Sequence, residues 1–298
     1  MKKSKYIALA AVAAFTVAPL SACGAGQSNG SESKNYEIAM VAKGFSQSFW
    51  VSVHQGADDA AAKYGATVTF NGPDNDSQVD KQADMVQNAI NKSPDAVAIA
   101  PLDEAALTPA VQSAKSASIP LFAFDTAFET NADAITSTVK TSNREVGKVA
   151  AENLIALLNG KGKYAVIAHS QTDATSTERR DGFLDYMKKN APDMEMVGEV
   201  QYSNADQAKA QDIASAILQA NPDLDAIFAT NEATVVGAAT PVESALKSGH
   251  KVLLVGVDSG KAQQQYIRDG VISGSVSQNP YQIGYKTIEN AVKSRHGE

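Results

Sequence analysis

From position 36 onward the sequence alternates strand-length apolar runs with amphipathic helical windows, and it does so in two successive series. That alternation dictates parallel strands joined by right-handed helical crossovers, because each helix must cover a sheet face before the next strand can pair. The first series predicts strands over 36–41, 66–70, 95–100, 119–125 and 134–139, with helices over 49–64, 78–91 and 104–116. Ser142-Asn-Arg-Glu145 then has the spacing of a capping box that opens a further helix. The second series predicts strands over 164–168, 194–200, 225–229, 252–258 and 271–276. Its helices fall over 175–189, 206–218 and 232–248, and a last one starts near 281. At 298 residues the chain exceeds one ordinary domain. The expectation is an α/β protein of two Rossmann-like lobes joined by a hinge, 36–141 plus 279–298 and 142–278.

The two series echo each other. Pro94-Asp95 opens an apolar strand in the first and Pro222-Asp223 does so in the second; in both, the next strand is an apolar run ending in aspartate, Asp125 and Asp258. Two lobes of like topology place these strand ends on facing rims of one cleft.

The N-terminus is a separate matter. Lys2, Lys3 and Lys5 precede an apolar run over 7–19 that is too short and alanine-rich for a spanning helix. Leu20-Ser21-Ala22-Cys23 resembles a bacterial lipoprotein cleavage box, so residues 1–22 are expected to be removed and Cys23 lipidated. Gly24 and the Gly-, Ser- and Asn-rich residues after it read as a flexible tether. Removal takes three lysines and no acid, leaving 23 basic against 33 acidic residues, a formal charge of −10 in place of −7. A surface that acidic disfavours nucleic acid and anionic membranes as charge partners. Cys23 is the only cysteine, which excludes an intramolecular disulfide and a thiolate metal site.

The strand ends carry the chemistry. Val41 to Trp50 is one strand-to-helix turn holding Lys43, Gln47, Phe49 and Trp50, and such turns open where ligands bind in parallel sheets. Asp125, Asn231, Asp258 and Gln278 end later strands, and Arg179 lies early in a helix. Carboxylates accept from hydroxyls, cations donate, amides do both, and an aromatic face covers the C–H side of a ring, an inventory suited to a neutral polyol. Each residue also has a plain structural reading. Phe49 and Trp50 fit a core, Asp125, Asp258 and Asn231 fit helix caps, and Arg179 sits in a charge run typical of a solvated face. His54, His169, His250 and His296 have no metal-ligand spacing, and His169 is read as structural. No nucleophile elbow, dinucleotide loop or Walker lysine loop occurs, so neither catalysis nor a cofactor nor a metal is expected.

At these residues the chain resembles the ribose- and allose-type periplasmic sugar-binding proteins of bacterial ABC importers, the type I periplasmic binding protein family. The likeness is carried by Ser-Phe-Trp50 with Gly56, Phe124-Asp125, Ser142-Asn143, Glu178-Arg179-Arg-Asp-Gly-Phe183, Ala229-Thr-Asn231, Val255-Gly-Val-Asp258 and Ser277-Gln-Asn-Pro-Tyr-Gln-Ile-Gly284. It implies that Phe49 and Trp50 stack on a sugar, while Gln47, Asp125, Arg179, Asn231, Asp258 and Gln278 hydrogen-bond it. Lys43 matches the lysine of allose-type members, where ribose-type members carry serine. Thr126 takes the place of an arginine that often follows the first aspartate and joins the expected ligand set. Ala205 and Val257 stand where aromatics are common. The family continues with one more strand and crossover, so the expectation is a chain shortened after Arg295-His-Gly-Glu298. The resemblance implies a monomeric, lipid-anchored extracytoplasmic receptor that delivers a monosaccharide to ABC permease subunits. A chemosensory or quorum-signal sugar receptor and, further off, a sugar-processing enzyme are the alternatives.

Overall fold

The computed structural model describes residues 35–45 and 47–297; the expected leader, Cys23 and the tether lie outside the described residues. The first series forms β1 (Tyr36–Val41), α1 (Ser48–Tyr64), β2 (Ala66–Asn71), α2 (Val79–Asn91), β3 (Ala96–Ile99), α3 (Glu104–Ser116), β4 (Leu121–Phe124) and β5 (Ile135–Val139). These strands make one parallel sheet in the order β2-β1-β3-β4-β5. The second series begins with α4 (Asn143–Leu158), β6 (Gly162–Ala168), α5 (Ala174–Asn190), β7 (Met194–Met196), β8 (Gln201–Tyr202) and α6 (Gln207–Ala220). It continues with β9 (Ala226–Ala229), α7 (Glu232–Lys247), β10 (Leu253–Val257), α8 (Lys261–Arg268), β11 (Gly274–Val276) and α9 (Pro280–Arg295). Its sheet runs β11-β10-β9-β6-β7, with β8 also paired to β6, again all parallel.

Strands β3, β4 and β9 are buried along their whole length, which is why they read as unbroken apolar runs. On β1 the side chains of Ile38 and Met40 pack into one core with α1 and α9, while Ala39 and Val41 enter another with α2 and α3. Helices therefore cover both faces. The helix after one edge strand of each sheet leaves that sheet. After β5 the chain enters α4, which packs on α5, and after β11 it enters α9, which packs on α1.

Glycine makes those two helix contacts close. A Cβ on Gly284 would lie 1.9 Å from the Val53 carbonyl oxygen, and one on Gly56 would lie 2.0 Å from that of Tyr281. The α4–α5 crossing repeats the device: a Cβ on Gly147 would meet the Arg179 carbonyl oxygen at 2.0 Å, and one on Gly182 that of Arg144 at 2.2 Å.

Three local expectations are corrected. The strand over 194–200 shrinks to Met194–Met196, because Gly198 takes φ +62° and breaks the extended run, and a separate short strand follows at Gln201–Tyr202. The strand over 271–276 shrinks to Gly274–Val276, since the N–H groups of Val271 and Ile272 both donate to the Tyr266 carbonyl at the end of α8. Ser142 precedes α4 without a side-chain cap, and Glu145 pairs instead with Lys148 at 2.8 Å.

Gly284→Val should lower folding stability by about 3 kcal/mol, the upper range for overpacking a tight contact. Gly274→Ala, where an added methyl meets nothing within 4 Å, should change it by less than about 0.5 kcal/mol. Urea unfolding midpoints check both.

Candidate functional site

In the order 2-1-3-4-5 the chain runs in opposite directions from the β1/β3 pair, which opens a crevice at the carboxyl ends of the strands. Gln82 braces that point. Its amide nitrogen donates to the carbonyls of Ala42 (2.9 Å) and Ala100 (2.8 Å), and its oxygen accepts from the Leu102 N–H (2.9 Å). Asp125 and Asp258 leave β4 and β10 with φ of +61° and +80°, the left-handed region. Each donates its N–H to the last residue of the neighbouring edge strand, Asp125 to Val139 and Asp258 to Val276, both at 2.9 Å. A non-glycine residue there costs about 1–2 kcal/mol. The strain recurs at equivalent positions, and it turns both side chains off their sheets. Neither aspartate caps the helix that follows it in sequence.

The two rims line one shared pocket. Lys43, Gln47, Phe49, Trp50, Asp125, Arg179, Asn231, Asp258 and Gln278 all line it. Thr126 is not in its wall; it is buried, and its hydroxyl donates to Asp125 Oδ2 at 3.1 Å, so it supports the aspartate from behind. Three further residues line the cavity without having been expected there: Asp76, His169 and Thr175. Asp173, the N-cap of α5, stands just behind.

Charge is concentrated at Lys43, which is 2% exposed. Its Nζ lies 2.5 Å from Asp173 Oδ2, 3.1 Å from Asp125 Oδ2 and 3.4 Å from the Thr175 hydroxyl. Lys43 and Asp125 follow strands of the first sheet and Asp173 follows β6 of the second, so this ion cluster ties the two rims together. Burial alone would lower the lysine's pKa; Asp173 and Asp125 outweigh it and hold the ammonium above its ordinary range. Burial likewise would raise Asp173, but Lys43 keeps its carboxyl well below the usual carboxylate range. His169 is the opposite case. Burial, helped by Arg179 and Lys43, pulls it down to about 3, and its neutral ring lies between the hydroxyls of Thr230 (2.7 Å) and Thr175 (3.1 Å).

Arg179 is buried, not solvated. Its Nε donates to Asn143 Oδ1 and its Nη1 to the Thr230 carbonyl, each at 2.8 Å, whereas the adjacent Arg180 pairs with Asp181 near the surface. Asn231 does cap α7, its Oδ1 accepting from the Thr234 N–H (3.0 Å) and hydroxyl (2.6 Å), so its NH₂ is what it can offer a guest. Asp258 accepts from the Glu232 N–H (2.9 Å) and from Gln278 Nε2 (2.6 Å). Phe49 and Trp50 meet edge to face at 4.9 Å and serve the core as well as the cavity. Trp50 Nε1 and Gln278 Oε1, a donor and an acceptor, are buried without a hydrogen-bond partner. A hydroxyl group can serve either.

Asp76 follows β2. Its Oδ2 accepts from Gln47 Nε2 at 3.2 Å, and its Oδ1 is buried without a partner. Burial pushes its carboxyl up to about 6; Lys43 opposes the rise, while Asp173 and Asp125 add to it. A carboxyl raised in the folded state binds more protons there than in the unfolded chain, so stability falls as pH rises from about 4 to 6. Asp76→Asn should therefore gain on the order of 1–3 kcal/mol over wild type at pH 7.5, with a much smaller gain at pH 4. Urea titrations at the two pH values measure the difference.

Residues 38–298 match a family model described as a periplasmic binding protein domain. A ribose import binding protein from Bacillus subtilis (strain 168) is 29% identical over 272 residues, 91% of this chain and 85% of that one. The D-allose-binding periplasmic protein of Escherichia coli (strain K12) is 30% identical over 267 residues, 87% of this chain and 85% of that protein. Among solved structures, an ABC transporter solute binding protein from Agrobacterium vitis with bound D-fucose aligns with a TM-score of 0.83 at 35% identity. That alignment covers 88% of this chain and 90% of the other. The match over 38–298 takes in both sheets and every residue of the cavity wall, and the chain belongs to the periplasmic binding protein domain family.

Proposed function

We propose that this chain captures a monosaccharide, a pentose or a hexose, between its two lobes and presents the closed form to an ABC permease. The observation that carries the reading is the pair of left-handed aspartates, Asp125 and Asp258, lining one cavity from equivalent strand ends. Carboxylates there accept from sugar hydroxyls, while Lys43, Arg179, Asn231 and the Trp50 Nε1–H donate. Phe49 and Trp50 supply the apolar surface for the C–H face of the ring. The relatives support the class of ligand: two are named for ribose and allose, and the aligned structure holds D-fucose. The site is one of binding rather than turnover. His169, the one histidine in the cavity wall, has both ring nitrogens against hydroxyls and stays neutral.

The lobes are taken as 36–141 plus 279–298 and 142–278, with hinges where the chain passes between the sheets. Hinge closure of periplasmic binding proteins is a recognised mode of domain motion. Closing expels water and brings the Asp125 and Asp258 rims onto the guest, so ligand and cross-rim contacts favour the same state. Lipidation of Cys23 would hold this monomeric receptor on the outer side of the cell membrane. The 24–34 segment would then serve as its tether.

A thermal-shift panel of pentoses, hexoses and polyols should single out one or a few sugars that raise the unfolding midpoint. For the best of them, Asp258→Ala should weaken binding on the order of a hundredfold by calorimetry, the loss of one or two charged hydrogen bonds. An unchanged affinity would remove Asp258 from the site.

A further inference from the structure

Glu232 follows Asn231 at the start of α7, and sequence reasoning gave it no role beyond opening the helix. It is 7% exposed, and its carboxylate crosses from the second sheet's side to the N-terminus of α1 on the first. There Oε1 accepts from the Ser48 N–H and Oε2 from the Phe49 N–H, each at 3.4 Å. The first N–H groups of a helix have no partner inside it, and the helix end carries roughly half a positive charge. Helix α1 provides little for itself. Its N-cap residue Gln47 makes no side-chain cap, its first turn holds no acid, and the Gln47 amide is turned to Asp76.

The far side of the carboxylate is shaped to hold it. A Cβ at Gly260 would fall 2.0 Å from Glu232 Oε1 and 2.4 Å from its Cδ. Asp258 Oδ2 fixes the Glu232 backbone by accepting its N–H at 2.9 Å. Burial, with the Asp258 carboxylate next, pushes the Glu232 carboxyl up, so holding the charge here has a cost that the α1 donors offset in part. Phe49, Asp258 and Gln278 face both this carboxylate and the cavity that holds the proposed sugar.

From these contacts we infer that Glu232 is a latch between the lobes, a helix cap supplied in trans that forms when they close and touches no sugar atom. The inference rests on the proposed hinge closure. Opening the cleft parts Glu232 from Ser48 and Phe49, so the latch slows opening and thereby release of a trapped guest. It has little effect on entry, because the open state has not yet made it. Glu232 is thus a positioning residue for closure.

Trp50 is the sole tryptophan and lies one residue past the latch, so its fluorescence reports the event in stopped flow. The probes are D-ribose, D-allose and D-fucose. For whichever binds, Glu232→Ala should raise the dissociation rate about tenfold, leave the association rate within about twofold, and leave the circular dichroism spectrum intact. Glu232→Gln, which keeps an acceptor but loses the charge, should fall between. Gly260→Ala should raise the dissociation rate in the wild-type background and have no further effect in Glu232→Ala, where the added methyl finds room. A dissociation rate within twofold of wild type in Glu232→Ala overturns the latch, as does a Gly260→Ala effect of equal size in both backgrounds. If wild type binds none of the three, the probe is whichever sugar of the wider pentose, hexose and polyol panel binds; failure of that whole panel removes the sugar-driven closure on which the latch rests.

Discussion

Two aspartates held with positive φ are the constraint on which the rest of this structure depends. A side chain in the left-handed region persists only where its surroundings fix it, at a cost of about 1–3 kcal/mol per residue. At Asp125 and Asp258 the fixing group is the same, an N–H bond to the carbonyl of the neighbouring edge strand at 2.9 Å. Each edge strand is followed by the helix that crosses to the opposite sheet. The strained residue, the edge strand and the crossing helix therefore form one unit, used twice. Glycine contacts under 2.5 Å from a notional Cβ to a carbonyl oxygen keep both crossing helices tight, and the α4–α5 crossing also fixes the stretch of α5 that carries Arg179.

Inside the cavity most polar groups are satisfied by the protein itself. Lys43 would be costly to bury alone, and it is acceptable only because Asp173 and Asp125 flank it from opposite rims. Trp50 Nε1, Gln278 Oε1 and Asp76 Oδ1 are left unmatched. A buried unsatisfied polar group costs about 1–3 kcal/mol, so three of them penalise a closed form without a guest by about 3–9 kcal/mol. Reversing a 99:1 preference between two states takes about 5.5 kcal/mol. A polyol that satisfies these groups would supply a difference of the right size to act as the trigger for closure. The Lys43 cluster and the Glu232 contact both join the two rims, and they set how firmly the closed form holds.

Much of this was legible in the sequence because it follows from periodicity. The strand–helix alternation gave both sheets and most of their elements, though not α8, and the strand ends gave eight residues of the cavity wall. What was not legible depends on contacts far apart in sequence. Asp76 sits in a loop after an edge strand, and only the fold brings it to Gln47. Arg179 in a charge run has the same local pattern as a solvated residue; the Gly147 crossing buries it while Arg180 stays outside. Thr126 reads as a ligand contact because it follows Asp125; its hydroxyl donates to that aspartate. Asn231 was open between cap and ligand residue, and it is a cap that also lines the cavity. The failed capping box at Ser142 shows a local motif losing to a competitor, since Lys148 takes the Glu145 carboxylate.

The central claim is that carboxylates from both sheets grip a single small guest. A crystal structure of the chain with its best-stabilising sugar tests it most directly. The account predicts one sugar ring in the cavity, with hydroxyls within hydrogen-bond distance of both Asp125 and Asp258 and its C–H face on Phe49 or Trp50. A sugar bound outside the cavity, or touching one aspartate while the other stays more than a water's breadth away, would contradict it.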